Sequence, residues 1–274
     1  MLVKDLLYKS GASIGTIYLL VAFFFWVSQR YYIYLPTHTV TAEARSELSD
    51  AYAEEWSDTH SQYIGIKRLS PGAEVNYLVF HGNAGEALDR TYFTDLLTHI
   101  SLPGNVFIME YPGYGRRDGS PSKKAFFEAA DGALEVIKAT NDLPIIVVGE
   151  SVGSGVASYA AVRAEGRLRA LLFITPFHSF GSVVWNTLPL FPTSLLLSEN
   201  YENGDMLEGL RAPAFFVLAD KDEVVGVEEG LSLFEEYIGP KQKFVIPDVG
   251  HNDIPFSVDA DWVREFRWFI KRTQ

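Results

Sequence analysis

Five apolar runs that show no alternation with polar residues constrain this chain most tightly: Val106–Met109, Ile145–Val148, Leu171–Ile174, Phe215–Leu218 and Phe244–Ile246. A strand with one wet face alternates apolar and polar residues, so an unbroken run implies burial on both faces, as in a largely parallel sheet. Helical stretches lie between and around these runs, at Ala87–Ile100, Ser122–Ala139, Val152–Ala164 and Val227–Ile238, with a last one near Val258–Ile270. The alternation predicts right-handed crossovers and a doubly wound α/β sheet. Ahead of it, Tyr63–Leu69 and Val75–Phe80 are joined by Ser70-Pro71-Gly72-Ala73, a turn composition that predicts an antiparallel opening pair. Ligands of such sheets bind beyond the C-terminal strand ends, and chemistry is sought there.

The 274 residues suit one α/β domain with a short appendage. A hydrophobic fraction of 47% supports a packed core and excludes a disordered chain. Twenty-three Lys and Arg against 35 Asp and Glu give a formal charge of −12, which repels phosphate backbones and argues against a nucleic-acid partner. With no cysteine, disulfides, thiolate metal sites and a cysteine nucleophile are excluded.

The first 35 residues differ in character. Ser10 to Gln29 is free of charge between Lys9 and Arg30, long enough as a helix to span the ~30 Å hydrocarbon core of a bilayer. Trp26, Tyr31, Tyr32 and Tyr34 gather at its C-terminal end, as in an interfacial belt. A signal peptide or a buried core helix is the rival, but bulky, polar Ser28-Gln29-Arg30-Tyr31-Tyr32 is no small-x-small cleavage site, so residues 1–35 are expected to be an uncleaved anchor. Lys4 and Lys9 before the span, against Arg30 after it, bias the main domain toward the extracytoplasmic side. Residues 36–62 read as a linker, and 63–274 as the main domain.

Gly149-Glu150-Ser151-Val152-Gly153 is a G-x-S-x-G pentapeptide placed directly after one apolar run and before a helix rich in Ala and Gly. A serine on so sharp a turn needs glycine two positions either side, where larger side chains would collide. A second match, Gly11-Ala12-Ser13-Ile14-Gly15, lies inside the apolar N-terminal stretch with no strand before it, and helix packing accounts for it. Asp222 follows the run Phe215–Leu218 and His251 follows Phe244–Ile246, so Ser, Asp and His occur in that order at three strand ends. In that arrangement His251 is the general base for Ser151, and Asp222 orients the imidazole. Asp220 is the alternative acid. His81-Gly82-Asn83-Ala84-Gly85 is a glycine-lined turn whose Asn83 N–H, with that of Val152 at the helix start, is a candidate oxyanion donor. His81 is expected to bond loop carbonyls, and Arg116 and Arg117 to be solvated. No H-E-x-x-H, GxxxxGK[ST] or G-x-G-x-x-G is present, so neither a metal nor a nucleotide cofactor is expected.

Together, His-Gly-Asn-Ala-Gly, Tyr-Pro-Gly-Tyr-Gly, Gly-Glu-Ser-Val-Gly-Ser-Gly, Asp-Lys-Asp-Glu-Val-Val and Gly-His-Asn-Asp resemble the motifs of the α/β-hydrolase superfamily across about residues 63–270. The chain looks most like the branch with a single N-terminal span ahead of a serine hydrolase domain. The resemblance implies hydrolysis of acyl esters or thioesters, including lipid acyl groups, through a Ser151-His251-Asp222 triad. Peptidase or acyltransferase activity on the same fold, or a non-catalytic binding module, is the alternative. The segment 176–211, with Trp185, Pro189, Phe191, Pro192 and Leu195–Leu197, is longer than a crossover needs. It either roofs the site as an apolar lid or simply packs as helices.

Overall fold

The structure, a computed structural model, describes residues 2–38, 41–100, 102–189 and 191–273. Parts of the segment 36–62 (residues 39 and 40) and of the segment 176–211 (residue 190), and the side chains of Lys4 and Lys9, lie outside the described residues.

Among the described residues, eight strands make one sheet: β1 (Glu54–Ser57), β2 (Tyr63–Arg68), β3 (Val75–Phe80), β4 (Gly104–Met109), β5 (Ile145–Glu150), β6 (Leu168–Ile174), β7 (Ala214–Ala219) and β8 (Lys241–Ile246). Their spatial order is β8-β7-β6-β5-β3-β4-β2-β1. From β4 to β8 the pairing is parallel, while β2 runs antiparallel to both β4 and β1.

The expected hairpin of β2 with β3 does not form, because β4 lies between them. The turn at Ser70 does close, with the Ala73 amide on the Ser70 carbonyl at 3.2 Å, but local turn chemistry does not choose the partner strand. Every residue of β3 is buried, which demands covered faces and a central place, whereas β2 exposes part of Tyr63, Lys67 and Arg68 and suits a margin. The sheet also begins earlier than expected. β1 falls inside the 36–62 segment read as a linker, and so does the helix α2 (Thr41–Asp50). Only Trp56 of β1 points inward, packing 5.0 Å from the Phe107 ring, and a single inward residue leaves no periodic signal.

Alternation along the strands feeds two cores. Leu78 and Phe80 face one, with α4 (Lys123–Thr140), α5 (Gly153–Arg163) and α9 (Val227–Glu236). Tyr77 and Val79 face the other, with α3 (Tyr92–Thr98) and α10 (Asp261–Arg272). α4 shows how such a helix is specified. Ser122 caps it by accepting the Ala125 amide at 3.1 Å, and Phe126, Ala130, Ala133 and Ile137 form one buried stripe at spacings of four, three and four. Fully burying a side chain such as Phe126 or Ile137 stabilises the fold by about 1.5–3 kcal/mol.

The N-terminal helix α1 (Leu2–Ile33) contains a 24-residue stretch, Ser10–Ile33, apolar enough to cross a membrane. Most of its side chains, Ile14, Leu19, Phe23 and Val27 among them, are exposed. At its C-terminal end one face is covered, although Arg30, Tyr31 and Tyr32 stay exposed. Gln29, Ile33 and the following Tyr34 are buried. The Gln29 carboxamide accepts the amides of Ser198 (2.8 Å) and Glu199 (3.2 Å) and donates to the Leu196 carbonyl (3.2 Å). The chain then pairs Leu35–Pro36 in parallel with Ala84–Gly85, joining the base of α1 to the loop after β3.

Candidate active site

Ser151 sits between β5 and α5 at φ +52°, a left-handed conformation that costs a non-glycine residue strain. Its amide is held by the Ile174 carbonyl at 2.9 Å and its carbonyl accepts the Ser154 amide at 2.8 Å, so the turn is over-determined. The flanking glycines have steric reasons. A Cβ at Gly149 would lie 2.5 Å from the Ala157 methyl, and one at Gly153 would collide with the Phe80 and His81 carbonyls.

β7 delivers Asp222 and β8 delivers His251 to the same place. His251 Nδ1 lies 2.8 Å from Asp222 Oδ2, and His251 Nε2 lies 2.9 Å from Ser151 Oγ. With the Nδ1–H donating to the carboxylate, Nε2 is left to accept the serine hydroxyl proton. The other Asp222 oxygen accepts the amides of Val224 (3.0 Å), Val225 (2.8 Å) and Gly226 (3.3 Å). Burial alone would raise the Asp222 carboxyl. The hydrogen bond and charge of His251, with the Val225 and Gly226 amides, outweigh it and hold the group below the usual carboxylate range. Asp220 is exposed and takes the Asp248 amide at 3.3 Å. Among the described residues no three His, Asp or Glu side chains converge to hold a metal ion.

The loop after β3 approaches the elbow, since a Cβ on Gly82 would lie 3.8 Å from that of Ser151. Asn83 follows, its carbonyl taking the Tyr114 hydroxyl at 2.7 Å and its side chain donating to the Ile33 carbonyl at 2.9 Å. Val152 stands at the N-terminus of α5. Neither the Asn83 nor the Val152 amide is taken up by a backbone acceptor among the described residues. His81 is fully buried, with Nδ1 2.9 Å from the Gly82 carbonyl and Nε2 3.4 Å from Glu110. The two arginines expected to be solvated are engaged instead. Arg116 pairs with Glu55 at 2.6 Å over the Tyr63 ring, and Arg117 donates to the Glu110 carbonyl at 2.6 Å.

Sequence reasoning passed over Glu150, the variable second position of the pentapeptide. Its carboxylate lies 3.0 Å from Arg90 Nε and accepts the Gly82 amide at 3.4 Å, tying the elbow to the loop after β3. Arg90 also donates to the Ala84 carbonyl at 3.1 Å. An acid in that position was the available signal, but its partner lies sixty residues away.

No family model matches the chain. Protein bem46 of Schizosaccharomyces pombe is 29% identical over 219 residues, covering 76% of this chain and 73% of that protein. The human α/β hydrolase domain-containing protein 17B is 28% identical over 211 residues, covering 75% and 69%. Among solved structures, an esterase of Pyrococcus furiosus superposes with a TM-score of 0.62 at 15% identity, covering 88% of this chain and 98% of that one. Strand order, elbow and structural neighbours agree: the chain has the α/β-hydrolase fold, and its sequence is similar to proteins named for an α/β-hydrolase domain.

Proposed function

We propose that the protein is a serine hydrolase that cleaves acyl esters or thioesters through an acyl-enzyme on Ser151. One observation carries this reading: His251 bridges the Ser151 hydroxyl and the Asp222 carboxylate at hydrogen-bond distance on both sides. Ser151 Oγ attacks the carbonyl carbon while its proton passes to His251 Nε2. Asp222, kept ionised, stabilises the imidazolium that forms. The tetrahedral oxyanion is held by the amides of Val152 and Asn83, each such donor contributing about 3–4 kcal/mol to transition-state stabilisation. On collapse the leaving alcohol or thiol takes the His251 proton. Water then attacks the acyl-enzyme with His251 again as base, releasing the acid and restoring Ser151. No cofactor is required by these steps. The helix stretch Ser10–Ile33 holds the protein in a membrane, with the catalytic domain on the extracytoplasmic side.

A fluorophosphonate probe tests the nucleophile: the expected result is labelling of the wild-type chain and none of Ser151→Ala. Equal labelling of both, or of neither when both are folded, would remove the catalytic reading and favour a binding module. Protease protection in intact cells reads the side of the membrane, where cleavage of the main domain without permeabilisation is expected.

A further inference from the structure

A cavity of about 390 Å³ lies between α1 and the segment that follows β6, within the ~300–1,000 Å³ range of small-molecule sites. Phe25, Trp26 and Ile33 of α1 form one wall. The helix α6 (Phe180–Thr187) supplies Val183 and Val184 to the other, and Leu188 follows them. Phe191 closes against Phe25 with ring centroids 5.5 Å apart. Among the described residues no charged side chain lines the space, and several polar side chains at its edge are already committed. Gln29 is bonded to Leu196, Ser198 and Glu199, Thr187 to the Val183 carbonyl, and Asn83 to the Ile33 carbonyl. A ligand therefore meets mainly hydrocarbon.

Two lining residues stand next to groups that contact Ser151 and Asp222. Val224 donates its amide to Asp222, and Asn83 follows Gly82, the residue that approaches Ser151. The opposite wall belongs to a helix whose neighbouring side chains Phe23, Phe24 and Val27 are exposed and apolar, a surface that only lipid or another apolar body would cover. The same helix thus offers one side to the bilayer and another to a cavity whose lining residues Asn83 and Val224 adjoin the contacts of Ser151 and Asp222.

We propose that this cavity holds the fatty acyl chain of a bilayer glycerolipid ester, and that the last turns of α1 are a wall of the substrate site as well as an anchor. The chain slides from the membrane along Phe25 and Trp26, and its ester carbonyl arrives at Ser151. This rests on the hydrolase reading above, which also supplies the chemical step.

The test uses the full chain in phosphatidylcholine vesicles, with p-nitrophenyl palmitate and p-nitrophenyl acetate as substrates. Val184→Trp, which fills the cavity from α6, and Phe25→Ala, which removes wall from α1, are each expected to lower the palmitate-to-acetate ratio of kcat/KM about tenfold. Trp268→Ala, at an exposed position of α10 outside the cavity, leaves the ratio as it was. An unchanged ratio in both cavity variants, or parallel loss on both esters, overturns the proposal. A second measurement separates it from the hydrolase reading. A diazirine analogue of palmitate should crosslink to the Phe180–Thr187 segment of the Ser151→Ala chain, and Val184→Trp should abolish that crosslink. Crosslinking without turnover by the wild type leaves the acyl site standing and removes the hydrolase. Absence of the crosslink removes the acyl site whatever the turnover.

Discussion

Arg30, in the last turn of the apolar N-terminal helix, pairs at 2.6 Å with Glu199, a carboxylate only 2% exposed. Glu199 also accepts the Tyr34 hydroxyl at 2.8 Å and the Lys123 amide at 2.6 Å, so one buried acid fastens α1, α4 and the segment after β6 to each other. Burial, the neighbouring Tyr201 hydroxyl and Glu199 together push the Tyr34 phenol well above its ordinary value, which keeps it a neutral donor. Replacing Glu199 by Gln keeps the shape but weakens charge-assisted bonds worth about 1.5–3 kcal/mol each. Arg30 is more than half exposed and adds little. A stability loss of about 1–3 kcal/mol is expected, read as a lower midpoint of thermal unfolding in detergent, and an unchanged midpoint would contradict this account.

That joint alters what truncation should do. If residues 10–29 were only a tether, a chain starting at Ala42 would be as stable as the full protein. In the structure such a chain lacks Gln29, Ile33, Tyr34 and the Leu35–Pro36 pairing with the loop beside Ser151. Losing the burial of Ile33 and Tyr34 alone costs about 1.5–3 kcal/mol per side chain. A chain starting at Ser28 keeps these contacts. The shorter chain is expected to melt earlier and to hydrolyse p-nitrophenyl acetate less well than the one from Ser28; equal melting curves by circular dichroism would show that the contacts carry no stability.

Asp222 gives predictions in activity and in pH. Asp222→Asn should lower ester hydrolysis about 10⁴-fold by favouring the wrong imidazole tautomer, while Asp220→Asn, exposed and outside the pair, should change it little. The sign for stability follows from the depressed carboxyl. Its folded pKa lies below the unfolded value of about 3.9, so its contribution is fully present above that pH and is lost as pH falls through the folded value. Wild-type stability should therefore decline on the acid side more steeply than that of Asp222→Asn. Parallel acid limbs in denaturant titrations at several pH values would mean that Asp222 is not held below its ordinary range.

The parts of this architecture legible in the sequence are those that local pattern encodes. Solid apolar runs announced β4 to β7, because strands buried on both faces admit little else; the run Phe244–Ile246 also marked β8, but that strand lies at the sheet edge with Val245 exposed rather than covered on both faces. Ser151, Asp222 and His251 could be picked out because each stands just past such a run. Long-range choices were not legible. That β4 inserts between β2 and β3 is decided by burial across the whole sheet, and β1 shows only Trp56 as an inward residue. Glu199 and Gln29 look like ordinary polar residues until the fold brings them together across 170 positions.

Glu150 is the remaining positioning residue whose role can be tested. It touches no reacting atom; it acts through Arg90 and the Gly82 amide, holding the loop that carries the Asn83 amide against the turn that carries Ser151. Gln at this position retains an acceptor but loses the charge that orders Arg90. If the loop then shifts by a fraction of an ångström, the amides proposed as oxyanion donors miss the developing charge while ground-state binding of the ester is nearly untouched. Glu150→Gln is accordingly expected to lower kcat about ten- to a hundredfold with KM nearly constant. Fluorophosphonate labelling should slow in step with kcat, since the probe's phosphoryl oxygen uses the same donors. A purely structural role would instead lower the melting midpoint and the active fraction, leaving kcat per labelled site unchanged, and that result would remove Glu150 from the positioning machinery.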